Sequence, residues 1–213
     1  MEKLNQLPNI MKISHTILLI LLVLLSLSGY SQTAKEYFIN GMTKNNKGDY
    51  VGAVTDFTKA ISLDPIYANA YFWRGQAKMD LQDNKGAIND FTLTINIDSK
   101  YSEAYLYRGN AKWYLNDYKG SIIDLTKAIE INPKSARAYL YRGNAKNSLH
   151  DIKGAILDFT KAIENDSNYA IAYMFRGQSK IDLGQKESAC LDFRKAGELG
   201  RADAYDLINK YCQ

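Results

Sequence analysis

Residues 136–169 read ARAYLYRGNAKNSLHDIKGAILDFTKAIENDSNY, and this 34-residue pattern recurs five times in the chain without an insertion or deletion. A glycine near the middle of the first half marks the period, and its copies are Gly41, Gly75, Gly109, Gly143 and Gly177. A fixed period of this length is typical of stacked supersecondary units, each of which packs only on its neighbours. The chain is therefore expected to form a repeat array and not a globule around one closed core.

Each repeat carries two helical patterns. Position 1 of the five repeats is taken as Ala34, Ala68, Ser102, Ala136 and Ala170. Apolar or small residues recur at positions 20, 21, 24, 27 and 28, which is the spacing of one helical face, and the first half carries a similar inward face. Two antiparallel helices of about 12–14 residues, joined by a short turn, would fill the period. Small residues at positions 8 and 20 let the two backbones approach closely, and the large residue at position 24 fills the space beside them.

These residues resemble the tetratricopeptide repeat (TPR) family, whose pattern has a large aromatic residue, then Leu-Gly, Tyr, Ala, Phe and a closing Pro. The resemblance covers Ala34 to about Leu199. Its departures are regular: Tyr stands at position 4, Lys at position 11, and Arg at position 7 in every repeat except the first, which has Asn40. The resemblance implies an all-α, right-handed superhelical solenoid of five helix-turn-helix repeats with a binding role.

The predicted organisation has three parts. A signal peptide occupies residues 1–31, and a capping helix occupies residues 202–213, where the pattern of a sixth first helix begins and stops. The repeats fill residues 32–201, with the individual units at 34–67, 68–101, 102–135, 136–169 and 170–201.

The signal-peptide prediction rests on a basic lead and an apolar run. Lys12 precedes the run of residues 17–25, and small residues follow it. The run is shorter than the roughly 20 residues that a membrane-spanning helix needs. Export to the periplasm or the medium is expected, with an uncleaved membrane anchor as the alternative, and either Met1 or Met11 as the start.

Composition favours a non-enzymatic protein. The only histidines are His15 and His150, and the sequence has no metal-ligand spacing and no phosphate-binding loop. A net charge of +4 is too small to indicate nucleic-acid binding. No cofactor and no small-molecule substrate are expected, and the partner is expected to be a protein, with a component of a cell-envelope assembly as one candidate.

Acidic and basic residues recur together with the same 34-residue period. Position 23 is aspartate in all five repeats, opposite the Arg at position 7 and the Lys at position 11. Because acid and base repeat together, a structural ion-pair ladder is the favoured interpretation, and an anion-binding stripe is the alternative.

The first helices are expected to line a concave face that binds an extended or helical peptide. Amides at position 9 could pair with a peptide backbone, and the aromatic and aliphatic residues beside them would supply contact area. The predicted peptide-binding residues are Phe72, Trp73, Gln76, Leu106, Tyr107, Asn110, Trp113, Leu140, Tyr141, Asn144, Met174 and Gln178. In the alternative, positions 5 and 6 only pack neighbouring helices together, and the protein is a self-associating or tethering spacer of the cell envelope.

Two cysteines stand near the C-terminus. Cys190 lies on the second helix of the last repeat and Cys212 lies near the end of the predicted capping helix, at similar distances from the turn near Gly200. Export would permit a disulfide between them. The alternative is two unrelated small residues, with Cys212 frayed at the terminus.

Overall fold

The computed structural model describes residues 33–212, and within that range the chain consists of helices and the turns that join them. The first helix, α1, covers residues 33–46. The others are α2 (Tyr50–Leu63), α3 (Ala68–Asp80), α4 (Asn84–Ile97), α5 (Ser102–Tyr114), α6 (Tyr118–Ile131), α7 (Ala136–Ser148), α8 (Ile152–Asn165), α9 (Ala170–Asp182), α10 (Lys186–Glu198) and α11 (Ala204–Tyr211). The described range contains no strand, which confirms the all-α prediction. The predicted signal peptide lies outside the described residues.

The turn inside each repeat uses a left-handed residue at position 15. These residues have φ between 60° and 79° and are Gly48, Gln82, Asn116, His150 and Gly184. In the second repeat, the next residue, Asp83, begins the second helix, because its Oδ1 accepts the N–H of Gly86 at 2.9 Å. His150 therefore occupies the left-handed position of this turn in the fourth repeat, like its four counterparts.

The core of each repeat is built around position 24. The side chains there are 0% exposed and belong to Phe57, Phe91, Leu125, Phe159 and Phe193. Each lies against the position-8 glycine of its own repeat: a Cβ added to Gly143 would lie 2.5 Å from Cε1 of Phe159. As predicted, the small residue at position 8 is required because the large residue at position 24 occupies the space beside it.

The charged residues at positions 7, 11 and 23 form a polar ladder. In the fourth repeat, Nε and Nη2 of Arg142 donate to the two carboxylate oxygens of Asp158 at 2.9 and 2.7 Å, and Nζ of Lys146 lies 2.7 Å from Oδ2. The same three-residue contact recurs in the second, third and fifth repeats, as Arg74–Lys78–Asp90, Arg108–Lys112–Asp124 and Arg176–Lys180–Asp192. Because both oxygens of each of these buried carboxylates are paired, the structure supports the structural interpretation of the ladder.

The polar ladder also joins each repeat to the one before it. Nη1 of Arg142 donates to Oγ1 of Thr126 on the preceding repeat at 3.1 Å, and the guanidinium lies 5.6 Å from the ring centre of Tyr139. Equivalent bonds to the preceding repeat are Arg74 to Thr58, Arg108 to Thr92 and Arg176 to Thr160. Each arginine therefore ties three helices together, a connection that the sequence analysis did not predict.

The last helix, α11, closes the described end of the array. It packs on α10, where the ring of Tyr211 stacks on that of Phe193 with centroids 6.3 Å apart. Cys190 and Cys212 form a disulfide with Cα atoms 5.7 Å apart, so the two residues are bonded and are not two unrelated small side chains. The closing helix is therefore held by ring packing and by a covalent bond.

Candidate functional site

Two adjacent cavities open on the first helices of the second, third and fourth repeats. The first measures about 750 Å³ and is lined by Gln76, Met79, Asp80, Gln82, Asn84, Tyr107, Asn110 and Tyr114. The second measures about 570 Å³ and is lined by Phe72, Trp73, Gln76, Glu103, Leu106, Tyr107, Ser135, Ala136, Arg137, Asp166 and Tyr169. Because Gln76 and Tyr107 line both, the two cavities form one continuous surface, called the groove below.

The polar end of the groove is formed by amide side chains. Gln76 and Asn110 stand at position 9 of consecutive repeats, and both are half-buried. Neither side chain makes a hydrogen bond to another group within residues 33–212. Each amide can donate and accept, so the pair can bond both the N–H and the C=O of a peptide backbone. Burial raises the pKa of the neighbouring Asp80 carboxyl.

The second cavity of the groove contains an arginine beside two tyrosines. Nη1 of Arg137 donates to the phenol oxygen of Tyr107 at 2.7 Å. Burial raises the pKa of the Tyr169 phenol, and the nearby Arg137 partly offsets that rise. The Arg137 guanidinium therefore lies between two tyrosines that line the same cavity. In this place the guanidinium can stack on an aromatic ring.

Three of the predicted contact residues belong to the core, which corrects that part of the predicted site. Phe72 and Leu106 are 4% exposed and Leu140 is 2% exposed. The per-repeat pattern assigned position 5 to the surface, but the next repeat covers it: the ring of Tyr107 lies 5.7 Å from that of Phe72. These side chains form the floor beneath the groove, as the packing alternative for position 5 expected.

Trp113 of the third repeat and the predicted residues of the fourth and fifth repeats lie outside the two cavities. Trp113 donates its indole N–H to Oγ of Ser148 at 3.1 Å, and burial raises the pKa of Tyr141 to about 12. Met174 is half-buried, and the position-9 amides Asn144 and Gln178 are half-buried as well. The groove therefore unites the predicted residues Trp73, Gln76, Tyr107 and Asn110 over the floor of Phe72 and Leu106.

Eleven of the residues that line the two cavities are absent from the predicted contact set, and Arg137, Ser135 and Tyr169 are three of them. Arg137 is at position 2, and Ser135 and Tyr169 are at position 34, at the end of a repeat. The signal was present in the sequence, because position 34 is tyrosine at Tyr67, Tyr101 and Tyr169 and changes to serine only at Ser135.

Two kinds of feature are absent from the described range. Residues 33–212 contain no cluster of three or more His, Cys, Asp or Glu side chains that could hold a metal ion. None of the helices in that range combines the length and apolarity needed to cross a membrane.

Comparison with known families agrees with the fold. A family model described as TPR repeat matches residues 44–82, and one described as tetratricopeptide repeat matches residues 102–135. The two matched segments are therefore similar to repeats of the TPR family. No curated protein matches the chain.

Solved TPR structures share the architecture. A crystal structure of MamA is 27% identical, with a TM-score of 0.70, and the match covers 78% of this chain and 96% of that chain. MamA from Desulfovibrio magneticus RS-1 is 20% identical, with a TM-score of 0.73, over 80% and 96% of the two chains. YrrB, described as a TPR protein with an unusual peptide-binding site, is 20% identical, with a TM-score of 0.66, over 82% and 90%. The described helices therefore form a TPR solenoid.

Proposed function

We propose that the protein is an exported, non-enzymatic scaffold that binds a segment of a partner protein in the groove. The proposal rests on one observation: the side-chain amides of Gln76 and Asn110, which make no hydrogen bond within residues 33–212, line the same cavity as the aromatic ring of Tyr107. Amides satisfy a peptide backbone, and aromatic side chains supply contact area at low entropic cost. The similarity to TPR repeats supports a protein as the partner, and a cell-envelope component is the candidate that export would favour.

The test compares two matched double variants. Peptides selected from a random library displayed on phage, with the purified protein as bait, serve as the probe. Gln76→Ala with Asn110→Ala should weaken the selected peptides at least tenfold, since two backbone-pairing groups are lost. Fluorescence anisotropy measures the affinity, and circular dichroism should show unchanged helicity because both side chains are half-buried and unbonded.

The control carries the same residue types at the same position of later repeats. Asn144→Ala with Gln178→Ala removes two amides outside the cavities and should leave the affinity unchanged. Equal losses in both double variants would indicate the longer peptide-binding face predicted from the sequence. Unchanged affinity in both would contradict a role for the amides.

Export is the second part of the proposal. Its support is the basic and apolar lead in residues 1–31 together with the disulfide between Cys190 and Cys212, because disulfides persist in oxidising compartments. N-terminal sequencing of the native protein should begin at Gln32, after cleavage behind Ser31. A native chain that still carries residues 18–25 would contradict cleavage and favour a membrane anchor.

A self-associating spacer is the second candidate function, and one surface favours it. Position 22 is apolar and exposed in three consecutive repeats, where Ile123, Leu157 and Leu191 are 69%, 68% and 64% exposed. The first two repeats carry Thr55 and Asn89 there. Exposed apolar stripes of this kind mark contact surfaces. Light scattering over a range of concentrations separates the candidates, since a monomer at every concentration would eliminate self-association.

A further inference from the structure

The tyrosine at position 34 has a fixed place in the array. Tyr67 and Tyr101 immediately precede a first helix, and each ring packs on the position-5 side chain of its own repeat. The centroid distances are 5.0 Å for Tyr67 on Phe38 and 4.9 Å for Tyr101 on Phe72. Tyr169 packs in the same way against the core cluster that contains Leu140. Burial raises the pKa of all three phenols, so each ring is partly withdrawn from water.

The junction between the third and fourth repeats lacks this ring. Ser135 occupies the position, and its hydroxyl only caps α7, accepting the N–H of Ala138 at 3.3 Å. The position-5 residue there is Leu106, whose core cluster includes Tyr107 and Tyr141 but no side chain from position 135. The second cavity of the groove opens at this point, lined by both Ser135 and Leu106. The cavity therefore lies where the three other junctions between repeats hold a tyrosine ring.

We propose that this cavity is a specificity pocket for an aromatic side chain of the bound protein segment, which takes the place of the tyrosine missing at Ser135. The inference rests on the proposed function and adds the partner's chemistry to it. The occupant is a phenylalanine or tyrosine because the array itself places a tyrosine ring at the three equivalent junctions. An aliphatic side chain would fill less of the space and would leave more of the wall without contacts.

The positive charge of Arg137, which lines the pocket, favours the same aromatic occupant. Arg137 lies between Tyr107 and Tyr169 and lines the cavity. A guanidinium is attracted to the face of an aromatic ring, and the protein uses this pairing four times between position-7 arginines and position-4 tyrosines. Trp73 adds a second aromatic side chain to the lining of the cavity. An aromatic anchor would therefore find a cationic partner and an apolar floor in one place.

The first experiment uses p-cresol, the side chain of tyrosine, as the probe. Amide resonances near Ala136 and Arg137 are followed by NMR in the full-length protein and in Ser135→Tyr, which supplies the missing ring from the chain itself. We expect saturable shifts in the natural protein and none in Ser135→Tyr. The control is Ser135→Thr, which keeps a capping hydroxyl and leaves the pocket open, so it should bind p-cresol as the natural protein does. Shifts that persist in Ser135→Tyr, or their absence from the natural protein, would overturn the inference.

The stability of Ser135→Tyr is a second readout. Tyr67, Tyr101 and Tyr169 begin their helices without a side-chain cap, so a tyrosine at residue 135 should be accommodated with no fall in melting temperature. Because the substitution also removes the cap that Ser135 gives to α7, the reference is Ser135→Ala, which loses the cap without adding a ring. A Ser135→Tyr protein that melts below Ser135→Ala would show that no ring fits there, and would also overturn the inference.

Peptide binding separates this inference from the proposed function. Library peptides that bind the natural protein should be enriched in phenylalanine or tyrosine and should lose at least tenfold in affinity for Ser135→Tyr. If peptides depend on Gln76 and Asn110 but bind Ser135→Tyr equally well, the aromatic pocket is wrong and the groove stands. If p-cresol occupies the pocket but no peptide depends on the amides, the pocket stands and the amide role in the groove fails.

Discussion

Replacement of Phe159 by alanine is expected to lower the free energy of unfolding by about 3–5 kcal/mol, the largest effect of any single change considered for this chain. The ring is 0% exposed, lies beside Gly143, and has its centroid 5.9 Å from that of Phe175 on the next repeat. Its removal would leave a cavity that rigid helices on both sides cannot close. Urea unfolding followed by circular dichroism measures the change.

The control for this prediction is already present in the chain. Leu125 occupies the same position in the third repeat and is also 0% exposed. Phe159→Leu should therefore cost much less, about 1–2 kcal/mol, because leucine fills most of the space. Similar losses for the alanine and leucine variants would contradict the assignment of position 24 as a packing position that tolerates both residues.

The second large effect is expected at the polar ladder. Arg142→Ala should lower the free energy of unfolding by about 2–3 kcal/mol, since it leaves a buried carboxylate without its bidentate partner. The Asp158 side chain is only 4% exposed and would retain Lys146 alone. The variant also loses the bond to Thr126 on the preceding repeat. Thermal and urea unfolding both report the loss.

Two matched lysine variants test the reasoning. Lys146→Ala leaves both hydrogen bonds from Arg142 to Asp158 in place and should cost about 1 kcal/mol. Lys161→Ala breaks an exposed ion pair with Glu164 and should change stability by less than about 0.5 kcal/mol. If Arg142→Ala were as mild as Lys161→Ala, the ladder would contribute nothing beyond an ordinary surface pair.

The sequence predicts the fold well because the physics of one repeat is local. A glycine at position 8 and a large residue at position 24 are close in the chain, and their spacing alone indicates that the two helices touch there. The pairing of Asp158 with Arg142 and Lys146 could be predicted for the same reason, since the helix-turn-helix geometry brings these positions level.

Contacts between repeats were harder to predict. Position 5 was assigned to the surface because a single repeat leaves it uncovered, whereas Tyr107 of the next repeat and Tyr101 of the junction cover Phe72. The bond from Arg142 to Thr126 was missed for the same reason. A trace of it exists in the sequence: position 25 is threonine wherever the next repeat carries the arginine, and it changes to Arg194 in the repeat that precedes α11.

The candidate site was predicted in part. The position-9 amides of the second and third repeats were identified from their spacing, and they line one cavity. The pocket beside Ser135 was not identified, because it arises where one junction between repeats lacks the tyrosine that the others carry at position 34. The four junctions between repeats show the difference, because position 34 is tyrosine at three of them and serine at Ser135.

The unequal fastening of the two ends gives the array a direction of unfolding. At the first repeat, Asn40 replaces the arginine, so Asp56 is paired with Lys44 alone. At the last, the disulfide closes a loop across a sequence separation of 22, which in a chain-entropy description adds about 3 kcal/mol. In a one-dimensional stack, local opening begins where neighbours hold least, so fraying should start at α1 and advance toward α11. The groove lies on the second to fourth repeats. A partner bound there would therefore stabilise these repeats and oppose the spread of unfolding from α1 toward the disulfide-bonded end.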